Sequence, residues 1–488
     1  MKNDLIINAI KVKTEKYQKV FSVSDNSELG EFALANGLQV NDAYTAARDA
    51  YKIWSEVSTY EKTELIKRVA EELILRKEEI AKLLSHEVGK PYASALDEVV
   101  RSAEFIYTSC EIAKSMEGRV LDSGMMRGYK HSQKVSIVTK VPIGVVLCIS
   151  PFNYPINLSV SKIVPALLAG NTVVFKPATQ GSLVAYILAE IFSKNLPTGS
   201  LNFITGKGAE IGDLLVQNEN VDMVNFTGST EVGKHIYSVL AESSQRKVGF
   251  KTPLMELGGK DVAIVTKKAD VQKSVQQIVK GAFSYSGQRC TAVKKVLIQG
   301  DIFDVFLSLL QIEMNKLKVG SPLDTNVVIT PLISTSAANY AEELFHDAVS
   351  KGMNFINPFK RDKNLIYPNI LFSSATFDEK KIKEIRIFDE EQFAPILPVF
   401  QVETIDQAIK LANLSEYGLQ SDVFTQDINE AFYIANQLES STIQINAKSD
   451  RGPDNFPFAG TKNSGIGVQG MKDAIESMSI DKQIVVNF

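Results

Sequence analysis

The middle of the chain alternates short apolar runs with helix-length segments, and this alternation restricts the fold more than any other feature. The apolar runs cover residues 145–149, 172–176, 201–205, 223–227 and 253–257. The segments between them begin near residues 156, 180, 208 and 229. Strands that alternate with helices in this way form βαβ units, in which the strands pair in parallel. The pattern predicts a doubly wound α/β sheet whose ligands bind beyond the carboxyl ends of its strands.

A second alternation follows from about residue 258. Its strands are expected at residues 261–265, 294–298, 394–400 and 441–446, with a helix near 270–284. A chain of 488 residues is long enough for two or three domains. The sequence predicts two Rossmann-type α/β lobes with parallel sheets, and a cleft between two such lobes is a common place for a small-molecule site.

The segments before the first alternation have patterns of their own. Residues 58–61 form a capping box, and the apolar residues that follow at helical spacing predict one long helix over residues 59–85. A second helix is expected over 93–117. Residues 119–141 alternate weakly and carry glycine and serine, which predicts an extended hairpin that stands apart from the helices.

Charge and cysteine content argue against several classes of protein. The net charge of −4 and the pI of about 5.8 argue against a nucleic-acid partner. The N-terminal segment lacks a signal-peptide pattern, and no run has the length of a membrane helix, so we expect a cytoplasmic protein without a membrane partner. The 3 cysteines lack CxxC spacing and the 4 histidines are scattered, which predicts neither a disulfide framework nor a metal site.

The segment from Gly228 to His235 admits two nucleotide interpretations. It nearly matches the phosphate loop GxxxxGK[ST], but His235 stands where that loop needs a hydroxyl to bind Mg²⁺. The alternative is a strand end that opens a helix, whose N–H groups bind the pyrophosphate of a dinucleotide. Gly206 and Gly208, at the previous strand end, are either a close backbone approach or an ordinary turn. A strict GxGxxG after the first strand is missing, which disfavours an ordinary Rossmann dehydrogenase.

Cys290 lies in the polar run SGQRCT, between a predicted helix and a predicted strand. A single cysteine is usually buried filler, and Cys110 and Cys148 fit that interpretation. Cys290 differs because its neighbour Arg289 is a cation of the kind that lowers a thiol pKa and so activates a nucleophile.

These motifs together resemble the aldehyde dehydrogenase superfamily along nearly the whole chain. The resemblance rests on the order and spacing of PFNYP (151–155), FKP (175–177), FTGST (226–230), MELGGK (255–260), GQRCT (287–291) and EEQFAP (390–395). It implies that Cys290 attacks an aldehyde to form a thiohemiacetal and then a thioester. Asn153 would stabilise the oxyanion and Glu256 would activate the hydrolytic water.

The resemblance also implies the cofactor site. The cofactor-binding residues would be Ser150, Pro151, Lys176, Thr179, Gly206, Phe226, Thr227, Gly228, Ser229, Leu257, Glu391 and Phe393. Members that prefer NAD often carry a glutamate where this chain has Thr179, which repels a 2′-phosphate. A neutral hydroxyl near Lys176 therefore favours NADP as cofactor.

The substrate prediction depends on three arginines. Arg101, Arg289 and Arg451, with Tyr154 and Thr291, resemble the residues that bind the substrate phosphate in non-phosphorylating glyceraldehyde-3-phosphate dehydrogenases, and arginine suits bidentate phosphate binding. The implied reaction is irreversible NADP-dependent oxidation of D-glyceraldehyde 3-phosphate to 3-phosphoglycerate without inorganic phosphate. Another aldehyde dehydrogenase, such as one for succinate semialdehyde, and a catalytically inactive homologue are the alternatives.

The chain departs from the family pattern at two places. Ala394 replaces a glycine in EEQFAP and would restrict that loop if its φ were positive. The stretch 241–257 is long, and its basic residues Arg246, Lys247 and Lys251 either approach a 2′-phosphate or form a solvated charge run.

The resemblance predicts domain bounds and assembly as well. Residues 1–118 and 142–257 would form the dinucleotide-binding domain and 258–447 the catalytic domain. Residues 119–141 and 471–488 would be oligomerisation segments of a homotetramer. The apolar terminal strand agrees with this, because an exposed strand edge of that kind is a hazard in a monomer.

Overall fold

A computed structural model describes residues 1–243, 250–374 and 379–488. The α-helices of the amino-terminal half are α1 (Gly37–Trp54), α2 (Thr59–Leu75), α3 (Lys77–Val88), α4 (Tyr92–Lys114), α5 (Asn157–Leu168), α6 (Ser182–Asn195), α7 (Gly208–Gln217) and α8 (Thr230–Ser243). Those that follow are α9 (Val271–Phe283), α10 (Phe303–Met314), α11 (Thr335–Ser350), α12 (Glu379–Glu384), α13 (Arg386–Asp389), α14 (Ile405–Asn413), α15 (Ile428–Ala435) and α16 (Met471–Ser477). Short 3-10 turns cover Ser123–Met125, Ser284–Gly287 and Gly300–Ile302.

The strands are numbered in chain order. The first are β1 (Lys2–Asn3), β2 (Leu5–Ile7), β3 (Ile10–Val12), β4 (Tyr17–Phe21), β5 (Glu28–Ala33), β6 (Arg119–Asp122), β7 (Lys134–Pro142), β8 (Val145–Ile149), β9 (Thr172–Lys176), β10 (Leu201–Phe203), β11 (Met223–Thr227) and β12 (Thr252–Glu256). The next are β13 (Val262–Val265), β14 (Lys295–Gln299), β15 (Lys318–Val319), β16 (Val327–Ile329), β17 (Asn354–Phe355), β18 (Arg361–Asp362), β19 (Leu365–Ile366), β20 (Asn369–Ser373) and β21 (Ile396–Val402). The last are β22 (Tyr417–Gly418), β23 (Gln420–Phe424), β24 (Thr442–Ile445), β25 (Phe458–Ala459), β26 (Thr461–Lys462), β27 (Gly465–Ile466), β28 (Val468–Gln469) and β29 (Ser479–Asn487).

The first predicted alternation forms the centre of an eight-stranded sheet with the order β27-β12-β11-β8-β9-β10-β2-β3. Strands β12, β11, β8, β9 and β10 are parallel, and the outer strands pair antiparallel at both edges. Apolar residues of α2 to α6 cover one face, and those of α1, α7 and α8 cover the other. The predicted doubly wound parallel sheet is therefore confirmed, and its strand ends share one edge.

The second predicted alternation forms a seven-stranded sheet with the order β17-β20-β21-β14-β13-β23-β24. All neighbours pair in parallel except β17, which is antiparallel to β20. Its two faces bury separate apolar cores, with α11 and α14 on one side and α9 and α10 on the other. Every strand of this sheet falls inside the predicted range 258–447, although the domain bounds themselves stay a prediction.

A small third sheet joins the two segments predicted to mediate assembly. Strand β29 pairs antiparallel with β7 from Ser479 opposite Pro142 to Asn487 opposite Lys134, and β6 pairs with the other edge of β7. Apolar side chains of β29 such as Ile480 and Ile484 are more than half exposed, at 54% and 53%. The sheet thus presents an apolar edge strand to solvent.

One predicted helix is wrong in extent. The capping box at Ser58 is present, but the helix predicted over 59–85 ends at Leu75, and α3 starts at Lys77. Arg76 between them has φ −103° and ψ 10°, outside the helical region. Both helices pack against α4, and the break lets each follow its own line on that helix while the apolar spacing continues across it.

No helix in the part of the chain that the structure describes is both long enough and apolar enough to cross a bilayer. The predicted cytoplasmic location stays a prediction.

Candidate active site

The nucleophile candidate Cys290 follows a turn of unusual backbone geometry. Three consecutive residues, Tyr285, Ser286 and Gly287, have φ values of 52°, 55° and 72°. The Tyr285 hydroxyl donates to the Val88 carbonyl at 2.7 Å, and Ser286 Oγ donates to the Thr330 carbonyl at 2.7 Å. Left-handed conformations of non-glycine residues are costly, and they persist where tertiary contacts hold them. The turn therefore fixes the position from which Cys290 projects.

Cys290 lies beside the carboxylate of Glu256, the last residue of β12. Its Sγ donates to Glu256 Oε1 at 3.5 Å. Burial, together with the negative charge of Glu256, raises the pKa of the Cys290 thiol. The resting thiol is therefore protonated, and the adjacent carboxylate is the group placed to accept its proton. Cys110 and Cys148 are fully buried, and the Cys110 thiol donates to the Thr63 carbonyl rather than to a carboxylate. This agrees with their interpretation as filler.

Two cations and a hydroxyl surround the Glu256 carboxylate. Arg451 Nη1 donates to Glu256 Oε2 at 2.7 Å, and the Thr227 hydroxyl contacts the same oxygen at 3.3 Å. Lys162, from the buried helix α5, bonds that hydroxyl in turn. Burial by itself raises the pKa of Glu256, but the charges of Arg451 and Lys162 outweigh it and hold the pKa below its usual value. Glu256 is therefore ionised at neutral pH.

Asn153 lies on the loop between β8 and α5. This loop is next to the turn 285–287 that precedes Cys290, called the nucleophile turn below. Its side chain is buried, and Nδ2 donates to the Gln288 carbonyl at 3.1 Å. Gln288 precedes Cys290 by two residues. The amide is therefore held against the segment that carries the thiol, where an oxyanion donor is needed.

The three predicted phosphate-binding arginines converge on this centre, and each has a protein partner. Arg289 is buried and donates to the Ser449 carbonyl at 3.1 Å. Arg101 makes a bidentate pair with Asp454, with both N–O distances 2.7 Å, and it also contacts the Arg451 carbonyl. The second η nitrogen of Arg451 donates to Gln469 Oε1 at 2.9 Å.

The other two predicted substrate residues, Thr291 and Tyr154, lie close to these arginines and to the loop of Asn153. Thr291 is buried, and its hydroxyl lies 3.4 Å from Arg289 Nη2. Burial raises the pKa of Tyr154 to about 12, so its hydroxyl is neutral. The ammonium of Lys90 lies over the face of the Tyr154 ring, 3.5 Å from the ring centroid.

The predicted cofactor residues are spread along the carboxyl edge of the first sheet. Ser150 follows β8, its backbone N–H donates to the Lys176 carbonyl at 3.2 Å, and Pro151 comes next. Lys176 ends β9, and burial lowers its pKa to about 8. Gly206 follows β10, and Thr179 is partly exposed beyond β9.

The turn after β11 is compact. Phe226 and Thr227 end the strand, and Gly228 and Ser229 lead into α8. A β-carbon on Gly228 would lie 2.4 Å from the Phe226 ring, so any other residue here would force that ring to shift. Leu257, after β12, donates its backbone N–H to the Ser464 carbonyl at 2.9 Å.

Glu391 and Phe393 reach the cleft from the second lobe. Glu391 Oε1 accepts the Gly259 N–H at 2.9 Å and lies 3.2 Å from the ammonium of Lys294. The Phe393 ring packs edge-on against Phe152, with centroids 6.3 Å apart. The structure thus brings residues of both lobes together at the nucleophile.

The two departures from the family pattern have different outcomes. Ala394 is buried and is not among the residues with positive φ in the described part of the chain, so its methyl group does not strain the loop. Arg246 and Lys247 lie outside the described residues. Lys251 donates to the Val216 and Asn218 carbonyls at 3.0 and 2.8 Å, beside the amino end of β12. It therefore lies at the opposite edge of the sheet from the predicted cofactor residues, which argues against the approach to a 2′-phosphate among its two interpretations.

Sequence reasoning missed two buried lysines of the centre. Lys162 lies on α5, whose residues are all buried, and a lone lysine in so apolar a helix is the signal that could have identified it. Lys294 is also buried and bonds the carbonyl of Cys290 as well as Glu391. A lysine directly before a fully buried strand, here β14, is the corresponding signal.

Residues 10–484 match the aldehyde dehydrogenase family, and the chain belongs to that family. It is 45% identical over 468 residues to the NADP-dependent glyceraldehyde-3-phosphate dehydrogenase of Streptococcus equinus, an alignment that covers 96% of this chain and 95% of that one. It is 41% identical to the enzyme of the same name from Pisum sativum, over 92% of this chain and 88% of that one. The crystal structure of NADP-dependent glyceraldehyde-3-phosphate dehydrogenase from Bacillus halodurans, complexed with NADP, superposes with a TM-score of 0.94 at 40% identity and covers 100% of this chain and 99% of that one.

Proposed function

We propose that this aldehyde dehydrogenase oxidises D-glyceraldehyde 3-phosphate to 3-phosphoglycerate with NADP and without inorganic phosphate. The observation that carries the proposal is the convergence of Arg101, Arg289 and Arg451 on the Cys290–Glu256 pair. Arg289 is the covalent neighbour of Cys290, Arg451 contacts Glu256 at 2.7 Å, and Arg101 contacts the Arg451 carbonyl. Guanidinium groups bind phosphate bidentately, so this surrounding selects an aldehyde that carries a phosphate. The names of the similar enzymes support the same substrate and cofactor.

The side chains account for both halves of the reaction. Cys290 transfers its proton to Glu256 and attacks the aldehyde carbon, so that a C–S bond forms and the carbonyl oxygen becomes an oxyanion. The Asn153 amide and the Cys290 backbone N–H stabilise that oxyanion as its charge develops. Loss of hydride from the thiohemiacetal leaves a thioester. Glu256 passes the thiol proton to solvent before hydrolysis and then removes a proton from water. The resulting hydroxide attacks the thioester, the C–S bond breaks, and the carboxylate product leaves while Cys290 regains a proton as the thiol.

NADP, when bound, supplies the hydride acceptor for this oxidation. The residues present fit such a group, because Gly228 and Gly258 leave two strand ends free of β-carbons. A β-carbon on Gly258 would lie 2.6 Å from Glu391 Oε2. Lys176 and Glu391 would hold the ribose hydroxyls, and the N–H groups at the start of α8 would bind the pyrophosphate. Thr179 would admit the 2′-phosphate because it carries no negative charge.

The decisive experiment is a spectrophotometric assay of NADPH formation with glyceraldehyde 3-phosphate, with and without added inorganic phosphate. We expect the same rate in both, because Glu256 activates water and the thioester is hydrolysed. A requirement for phosphate would overturn the proposed hydrolysis. Succinate semialdehyde in the same assay tests the substrate, and a higher kcat/KM for it would assign the arginines to a carboxylate instead.

We also propose that the chain assembles as a homotetramer through its third sheet. The exposed apolar side chains of β29, including Ile480 and Ile484, support this, since an unpaired apolar edge strand favours pairing with another chain. Light scattering of the wild type and of a variant truncated before β29 tests it. A wild type that is monomeric at assay concentration would refute the assembly without affecting the reaction.

A further inference from the structure

A buried ion pair lies beneath the active site and takes no part in the reaction described above. Lys90, between α3 and α4, and Glu98 on α4 bond each other with side-chain exposures of 1% and 0%. Burial of two charges is costly unless further hydrogen bonds satisfy them, and such pairs often add little to stability. Stability therefore does not explain why this pair lies directly below the catalytic loops.

Glu98 uses its second oxygen to hold the loop that carries Asn153. Its Oε1 accepts the backbone N–H groups of Ile156 and Asn157 at 2.9 and 3.1 Å. These N–H groups belong to the start of α5, where no side chain of the helix itself provides a cap. A carboxylate at a helix N-terminus is a strong acceptor. Glu98 thereby anchors the segment 151–157, which contains Asn153 and Tyr154 and is called the oxyanion loop below.

Lys90 contacts both sides of the reaction centre. Its ammonium lies 3.5 Å from the centroid of the Tyr154 ring and 5.0 Å from that of the Tyr285 ring. Tyr285 belongs to the strained turn before Cys290, and its hydroxyl donates to the carbonyl of Val88, two residues before Lys90. An ammonium over an aromatic face is attracted by the ring quadrupole, more strongly when desolvated. The joint between α3 and α4 thus touches the oxyanion loop and the nucleophile turn at once.

We propose that Lys90 and Glu98 are a positioning pair that fixes the oxyanion loop relative to the nucleophile turn. Neither residue touches the reacting atoms. The pair acts through Glu98 on the loop of Asn153 and through Lys90 on the rings of Tyr154 and Tyr285. Its loss would misplace the Asn153 amide relative to the Cys290 thiol while the ribose end of the cleft stays intact.

The test separates positioning from stability by changing both partners together. Lys90→Met/Glu98→Gln removes both charges and keeps an amide oxygen that accepts the N–H groups of α5, so the fold is expected to survive. We expect kcat to fall about 10-fold to 100-fold, since a shift of about 1 Å in a reacting group has effects of that size. The rate of the NADPH burst should fall with kcat, whereas KM for NADP should change little.

The matched control is Arg48→Met/Asp222→Asn. Arg48 and Asp222 pair at 2.6 Å, and the same Asp222 oxygen accepts the Val145 N–H at 2.7 Å. The pair therefore also joins a cation to a carboxylate that holds a backbone N–H, but it lies at the amino end of β8 and is only partly buried. Circular dichroism and thermal unfolding of both double variants show whether each is folded. The control should keep the wild-type kcat.

The inference rests on the proposed oxidation, and the outcomes separate the two. A wild type that forms no NADPH counts against the proposed function. An active wild type together with a folded Lys90→Met/Glu98→Gln variant whose kcat is within about twofold of it overturns the positioning pair alone. If the double variant does not fold, Tyr285→Leu removes the ring through which Lys90 contacts the nucleophile turn, and an unchanged kcat in that folded variant overturns the proposal.

Discussion

The cleft has two ends that are built in different ways: the nucleophile end, around Cys290 and Glu256, and the proposed ribose end, around Lys176 and Thr179. At the nucleophile end, side chains contact one another, with the buried Glu256 between the partly buried Cys290 and Arg451. At the ribose end, backbone turns after parallel strands form the surface, with glycine at 228 and a partly exposed Thr179. We therefore expect substitutions at the first end to change the chemistry, and substitutions at the second to change which cofactor binds.

The largest effect is expected from Cys290→Ser. A serine hydroxyl is a far weaker nucleophile at neutral pH, and removal of the nucleophile from a unit of interacting catalytic groups costs about 10⁴-fold or more in kcat. NADPH formation by the purified variant measures it. Cys110→Ser is the matched control, because the buried Cys110 thiol donates to the Thr63 carbonyl at 3.7 Å and a hydroxyl can do the same. Retention of activity in Cys290→Ser would remove the covalent mechanism.

Glu256→Gln is expected to divide the reaction into its halves. The amide keeps the size of the side chain but cannot accept a proton from water, so turnover should fall by about 10²-fold to 10⁴-fold. In this variant Cys290 must lose its proton to solvent instead of to Glu256, so the first half is slower. A burst of NADPH, stoichiometric with active sites, should still precede the slower hydrolysis phase.

Rapid-mixing absorbance measures that burst. Glu231→Gln, an exposed carboxylate on α8, is the control and should show wild-type turnover. A Glu256→Gln variant with neither a burst nor turnover would show that solvent cannot replace Glu256 in the deprotonation of Cys290.

Asn153→Ala tests the oxyanion donor. Loss of such a donor costs about 10²-fold to 10³-fold in kcat, because the charge develops in the transition state and not in the substrate. Comparison of kcat with KM for glyceraldehyde 3-phosphate checks this, and KM should change much less than kcat. A variant in which KM rises and kcat is preserved would make Asn153 a binding residue instead.

The two ends also differ in how much of them the sequence predicts. The five parallel strands of the first sheet follow from apolar periodicity, and their shared edge follows from parallel pairing, so the ribose end is predictable as a surface. The antiparallel strands β2, β3 and β27 at its edges were not predicted. The resemblance to the family predicted which residues are catalytic and the role of each. Neither indicates which partners the arginines take, because the pairing of Arg451 with Glu256 spans 195 residues and depends on how the lobes meet.

Local irregularities are the other part that periodicity cannot predict. The apolar spacing continues from Leu73 to Ile80 across the break at Arg76, so the pattern gives no sign of two helices. The left-handed residues Tyr285 and Ser286 are likewise stabilised by distant groups, the carbonyls of Val88 and Thr330. Contacts of this kind are set by tertiary structure alone.

The smallest effect is expected at the ribose end, from Thr179→Glu. A carboxylate there would repel the 2′-phosphate of NADP and accept hydrogen bonds from the ribose hydroxyls of NAD, which should shift the ratio of kcat/KM values toward NAD by about tenfold or more. Thr179→Val is the matched control, since it removes the hydroxyl without adding charge and should lower kcat/KM for NADP only slightly. Thr179 follows β9, which is separated by β8 and β11 from β12 and Glu256, so kcat at saturating cofactor should stay near the wild-type value in both variants. A wild type that already prefers NAD by tenfold would break the distinction between the two ends, since neutral charge at 179 would then not govern cofactor choice.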